Sequence, residues 1–222
     1  MLLRFLLISV YATWLCAADA FTGTLTLSAS VDKAEGEMAG LAELAKINAT
    51  ITVGGNRVTI LASGGLGDGQ WHVDQTARQG WYRSAVSDTW RTDPVEVEAL
   101  DLLDAETQKL LPQLFSCTLT PTGETAEIAG HACKAYTVTD CMFAKGPTTA
   151  WIADDLPPLR CRMRLTTSES PFTSLTLPVL CQLPLKQGMA LKVTTTDQGV
   201  TISYFVTAIA AEAKHPEPLP TR

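Results

Sequence analysis

The stretch TGETAEIAGHACKAYTVT, Thr122 to Thr139, decides how this chain is read. It has the pattern of a β-hairpin with a cysteine set into its second arm. Along that arm Thr137 and Thr139 share a face with Cys133, while Tyr136 and Val138 take the opposite one, the period-two alternation of a strand. Gly123 is expected to serve the turn, with the preceding CTLTP as the first arm, and Gly130 to permit a kink or bulge where the strand resumes.

The same alternation recurs on both sides. FTGTLTLSASV sets Leu25, Leu27 and Ala29 against Thr and Ser. NATITVGGNRVTILAS gives two alternating runs about Gly54-Gly55-Asn56, residues that accept a positive φ at little cost. QWHVDQTARQGWYRSAVSDTWRTD predicts three short strands around Trp71, Trp81 and Trp90. TTAWIADD and CRMRLTT are strand-like, and a last hairpin turns at Asp197-Gln198-Gly199. Helical spacing is confined to inserts. Met38, Leu41, Leu44 and Ala45 suit one short helix, and Asp93-Pro94-Val95-Glu96 has the capping pattern of another.

Strands therefore outnumber helices, and no strand–helix–strand rhythm is present. The expectation is a mainly β single domain over residues 21–212: nine to eleven strands in a curved antiparallel sheet or open half-barrel, with helical inserts on its concave side. KHPEPLPTR leaves residues 213–222 as a proline-rich tail, disordered or lying on the surface.

Compartment is read from the other end. MLLRFLLISVYATWLCAADA has a basic start at Arg4, an apolar run and the small-x-small site Ala18-Asp19-Ala20, the anatomy of a secretory signal over residues 1–20. The run falls short of the roughly 20 apolar residues that span a bilayer. Lipidation at Cys16 is disfavoured because Trp14 and Leu15 stand where small residues are needed. Removing residues 1–20 takes away Arg4 and Asp19, one charge of each sign, so the formal net charge stays at −6. That balance argues against nucleic acid, which needs a basic patch. No later segment is long and apolar enough to span a membrane. The protein is expected to be exported, to the periplasm or beyond it.

Of six cysteines, loss of Cys16 leaves five: Cys117, Cys133, Cys141, Cys161 and Cys181. All are disulfide candidates in an oxidising compartment. Five is odd, so one thiol is left over, free or joining two chains as a covalent homodimer.

Candidate chemistry is thin. His131 and Cys133, with Cys141 and Cys161, could approach a zinc set, but the chain has no C-x-x-C and the spacings fit no zinc ribbon. A nucleophilic cysteine would need His72, His131 or His215 as its base. Asp154-Asp155 ahead of Pro157-Pro158 has the character of a solvated turn. Gly64-Gly65-Leu66-Gly67-Asp68-Gly69 opens no helix and is a loop rather than a phosphate cradle. No catalytic, metal or cofactor residues are assigned. Trp71, Trp81, Trp90 and Trp151 are the candidates to line an apolar cavity, because open barrels characteristically enclose one.

Gly123-Glu124-Thr125, Ile128-Ala129-Gly130, Cys133 and Tyr136, followed by Thr149–Ala153 and Leu183-Pro184-Leu185, resemble the hallmark of an uncharacterised family of exported bacterial proteins. That hallmark reads G-E-T-x-x-I-A-G-[YH]-x-C-x-x-Y. The family is similar in architecture to the half-barrels of LolA/LolB-type periplasmic lipoprotein carriers. The resemblance implies a non-enzymatic protein that holds a lipid, a lipidated protein or another hydrophobic partner. The alternative is a disulfide-stapled structural or interaction module of the envelope with no small ligand. In the hallmark hairpin, a bridge from Cys133 to Cys161 or Cys141 would fix the strand register.

Overall fold

The computed structural model describes residues 21–34, 46–64, 68–74, 76–77, 79–86, 89–94, 117–140, 146–159, 164–165, 175–176, 185, 187–197 and 199–215. They form one 11-stranded sheet and a separate two-stranded ribbon.

The chain enters the sheet at its middle. β1 (Gly23–Lys33) starts a meander that runs outward through β2 (Ile47–Gly54), β3 (Arg57–Ser63), β4 (Gly69–Asp74), β5 (Gln79–Ser84) and β6 (Arg91–Pro94). A second meander begins at the far end with β7 (Thr118–Ile128) and returns through β8 (His131–Thr139) and β9 (Thr148–Ala153). The short ribbon, β10 (Arg164–Leu165) with β11 (Leu175–Thr176), intervenes. β12 (Met189–Asp197) and β13 (Val200–Ala210) complete the return. The resulting order is β6-β5-β4-β3-β2-β1-β13-β12-β9-β8-β7. Among the described strands every pairing is antiparallel, and β6 and β7 end the sheet without closing it.

Alternation gives the first meander two unlike faces. Leu25, Leu27, Ile51, Val53, Val58, Ile60, Trp71 and Val73 share one cluster with Leu191, Val193 and Val206 of the second meander. Leu25 is 1% exposed and Val58 0%. The opposite face carries Thr24, Thr26, Ser28, Thr50, Thr52 and Thr59, several joined in cross-strand hydroxyl pairs such as Thr24 Oγ1–Thr52 Oγ1 at 3.2 Å. Bulges keep the phase. Thr26 pairs with Ala208 and Leu27 with Val206, so Thr207 is the extra residue that returns Val206 to the apolar side. A second irregularity between Ala190 and Lys192 leaves Met189, Ala190 and Leu191 all buried.

The opening stretch is a hairpin, but its turn lies elsewhere than expected. β7 is one strand through Gly123, and the chain reverses at Ala129-Gly130, with φ of 51° and 82°. Gly123 instead occupies the irregularity between Pro121 and Thr125. Along β8 burial changes face: Cys133 and Ala135 are buried on one side and Val138 on the other, while Lys134 and Thr137 are exposed. The neighbouring β9 is likewise buried on both faces at Ala150, Ile152 and Ala153.

Cys133 corrects the proposed bridge to Cys161 or Cys141. It is a free thiol, 1% exposed, with Sγ 3.5 Å from the carbonyl of His131. Its depth also removes it as the thiol of a covalent homodimer. Cys117 is disulfide-bonded, and Cys133 is not its partner. Cys141, Cys161 and Cys181 lie outside the described residues. So do Met38, Leu41, Leu44 and Ala45 of the first expected helical insert and the second insert beyond Pro94; Asp93 and Pro94 themselves end β6. Among the described residues there is no helix.

Three outcomes test this arrangement. Iodoacetamide should leave Cys133 unlabelled in the folded protein and label it once guanidinium is added; labelling without denaturant would contradict its burial. Ile60→Ala, in the centre of the apolar face, should lower stability by about 2–5 kcal/mol in chemical denaturation. Thr120→Ala, on the exposed edge strand, should stay within about 0.5 kcal/mol.

Candidate functional site

The two faces of β3, β4 and β5 present two different environments. On the apolar face, Ile60, Trp71 and Tyr82 are register partners across the three strands. The Trp71 and Tyr82 rings stack with centroids 4.9 Å apart. Gly69 makes room for them: a Cβ there would sit 2.8 Å from the Tyr82 ring and 3.0 Å from Trp71. Trp71 is 2% exposed, and among the described residues its indole Nε1 has no hydrogen-bond acceptor. A donor in that condition is uncommon in a folded protein, since leaving it unpaired costs about 1–3 kcal/mol.

On the opposite face the same strands align Arg57 with Asp74, Thr59 with His72 and Trp81, and Leu61 with Gln70 and Arg83. These side chains are linked. Arg83 Nη2 donates to Gln70 Oε1 at 2.8 Å. Gln70 Nε2 is 2.9 Å from His72 Nε2, His72 Nδ1 is 3.0 Å from Thr59 Oγ1, and Thr59 Oγ1 is 3.0 Å from His215 Nδ1. A guanidinium only donates, so it fixes the Gln70 amide with its oxygen toward Arg83 and its nitrogen toward His72. Thr59 Oγ1 thus bridges His72 Nδ1 and His215 Nδ1. Arg57 Nη2, which can only donate, reaches the same His72 Nδ1 at 3.1 Å. Trp90 closes the outer side, 4.9 Å from the His72 ring and under the Arg83 guanidinium at 4.6 Å.

The C-terminal residues cover this network. Beyond β13, Thr24 Oγ1 donates to the Glu212 carbonyl at 3.0 Å. Ala213 and His215 lie over Gly54. Thr52, Thr59 and His72 are buried there, although they belong to the hydroxyl-rich face. Beside this covered area, a shallow depression of about 170 Å³ is lined by Thr26, Asn48, Thr50, Leu61 and Ser63.

The four tryptophans do not meet. Trp71 faces the apolar side, Trp81 and Trp90 the other, and Trp151 lies on β9 in the second meander. His131 is bound to Asp155 at 2.8 Å, and that bond holds the Asp155 carboxyl below its usual range. Lys134 of β8 and Asp154 pair at 2.7 Å, both half or more exposed. The Cys133 thiol is raised above its ordinary value, first by burial and then by Asp155. A raised thiol is a poor nucleophile at neutral pH. Among the described residues no cluster could hold a metal ion. Sequence reading missed Arg57, Thr59, Gln70 and Arg83 and left His215 in the tail. Their only signal was polar residues at period two on adjacent arms, which needs the register to become a site.

No family model matches the chain and no curated protein does, so the resemblance drawn from Gly123, Cys133 and Tyr136 has neither behind it. Among solved structures, the Mycobacterium tuberculosis lipoprotein LppX is similar over 91% of this chain and 92% of its own, with 10% identity and a TM-score of 0.42. LprF from Mycobacterium bovis is similar over 89% and 90%, with 13% identity and a TM-score of 0.38. Likeness at this level leaves function to be argued from this chain's own residues.

Proposed function

We propose that this is an exported, non-enzymatic binding protein that holds a hydrophobic ligand, a lipid or the acyl chain of a lipidated partner, against the apolar face of its open sheet. The observation that carries the reading is Trp71: an indole N–H buried in that face beside Tyr82, without an acceptor among the described residues. A purely apolar core has no use for such a donor. An amphiphile with a carbonyl or hydroxyl oxygen near its chain would satisfy it while the chain packs on Leu25, Ile51 and Ile60. Export is supported by the leader pattern of residues 1–20 and by the bonded state of Cys117, which suits an oxidising compartment. Non-enzymatic action is supported by the raised, buried Cys133 thiol and by the engagement of His131 with Asp155.

The second reading, a structural module of the envelope, is favoured by a different fact. The apolar side chains of β1–β4 are already withdrawn from solvent, as they would be in a filled core.

Titrating the purified protein with a fluorescent long-chain acyl ester separates the two. Saturable binding is expected, weakened about 3–10-fold in Trp71→Phe, the range of one net hydrogen bond. No binding by the wild-type protein would sink the carrier reading in favour of the module.

A further inference from the structure

We propose that residues 211–215 are a pH-sensitive latch: with His215 neutral they close over Thr52, Thr59 and His72, and on protonation of His215 they let go and uncover that polar face. The inference is independent of whether the apolar face carries a ligand.

Three contacts build the closed state. The Glu212 carbonyl accepts from Thr24, Ala213 and His215 rest on Gly54, and His215 Nδ1 receives the Thr59 hydroxyl. Gly54 is the seat: a Cβ there would come 2.8 Å from Ala213 Cβ and 3.1 Å from His215 Nε2. The donor direction is what makes the contact sensitive to a proton. A neutral His215 can take the Thr59 hydroxyl hydrogen at Nδ1, 3.0 Å away. A proton arriving on Nδ1 would face that hydrogen and remove the acceptor.

Charge acts in the same direction. On the latch itself Lys214 and Glu212 pair at 2.8 Å and offset each other. From β3, Arg57 faces His215; from β4 come His72 and Asp74, the latter's Oδ1 already accepting the amides of Thr76 and Ala77. From β2 the uncharged Gly54 meets the latch. Burial, and then Arg57, hold the His215 imidazole below its ordinary 6.5, with the Gly54 backbone opposing in part. The sign follows: the closed latch binds fewer protons than the open one. Closure is therefore complete above about pH 6.5, the value of the free imidazole. It weakens as pH falls from there toward the lower value of the closed state, by up to about tenfold per pH unit.

The test follows the backbone amides of Ala213 and Lys214 by nitrogen-15 NMR in the mature chain from pH 8 to pH 5. Wild type should move from shifted, protected signals to random-coil positions with a midpoint below 6.5. Arg57→Gln should lower that midpoint, because the closed latch then tolerates the proton on His215 better. Thr59→Val, which keeps the shape and removes the hydroxyl, should leave the latch open throughout. His215→Asn presents an oxygen near the place of Nδ1 and does not titrate, so it should remove the transition. The absence of any wild-type transition in this range, or the same midpoint in His215→Asn, overturns the latch. An Arg57→Gln midpoint that is unchanged or raised overturns the role given to its charge.

Discussion

The pairing of β1 with β13 is the constraint on which the rest depends. It is the one seam between the two meanders, and it joins residues far apart in sequence, from Thr24↔Ala210 to Lys33↔Thr201. Such a contact carries a large loop-closure entropy, so it has to be secured by burial on one face. Leu25, Leu27 and Val206 supply that burial, and the bulge at Thr207 makes it possible by restoring the phase of β13. Without the extra residue, Val206 would point to the hydroxyl-rich side. The seam also decides where the chain ends. Because β13 runs beside β1 to Ala210, the residues that follow are carried across β1 and β2 toward Thr59 and His72.

A single sheet with two unlike faces therefore hosts two unlike environments. One is apolar and contains a buried donor at Trp71. The other is polar, directional and covered by the chain's own end. The division comes from alternation on the same three strands, since Trp71 and His72 are neighbours in sequence and point to opposite sides. A substitution in β4 is thus read by one environment or the other according to its parity.

The strands and their antiparallel order of neighbours were legible because alternation and turn residues are local. Gly55 and Gly199 mark their hairpins with positive φ, at the positions the sequence indicated. The turn of the Thr122–Thr139 hairpin was misplaced because both Gly123 and Gly130 adopt positive φ, and nothing local says which one reverses the chain. The seam between β1 and β13 was not legible, since no local pattern specifies a partner so distant. The polar network was hidden for the same reason: Arg57, Thr59, Gln70 and Arg83 become one chain only once three strands are in register. Cys133 looked like a bridge because its type and spacing allowed one, yet it is a buried free thiol.

Native mass spectrometry of the mature protein, prepared from an oxidising compartment without detergent, bears most directly on the carrier reading. That reading predicts the chain mass plus a non-covalent adduct of lipid size, displaced by added acyl ester. A bare chain mass, unchanged after incubation with a lipid extract, would contradict it and leave the apolar face as an ordinary core.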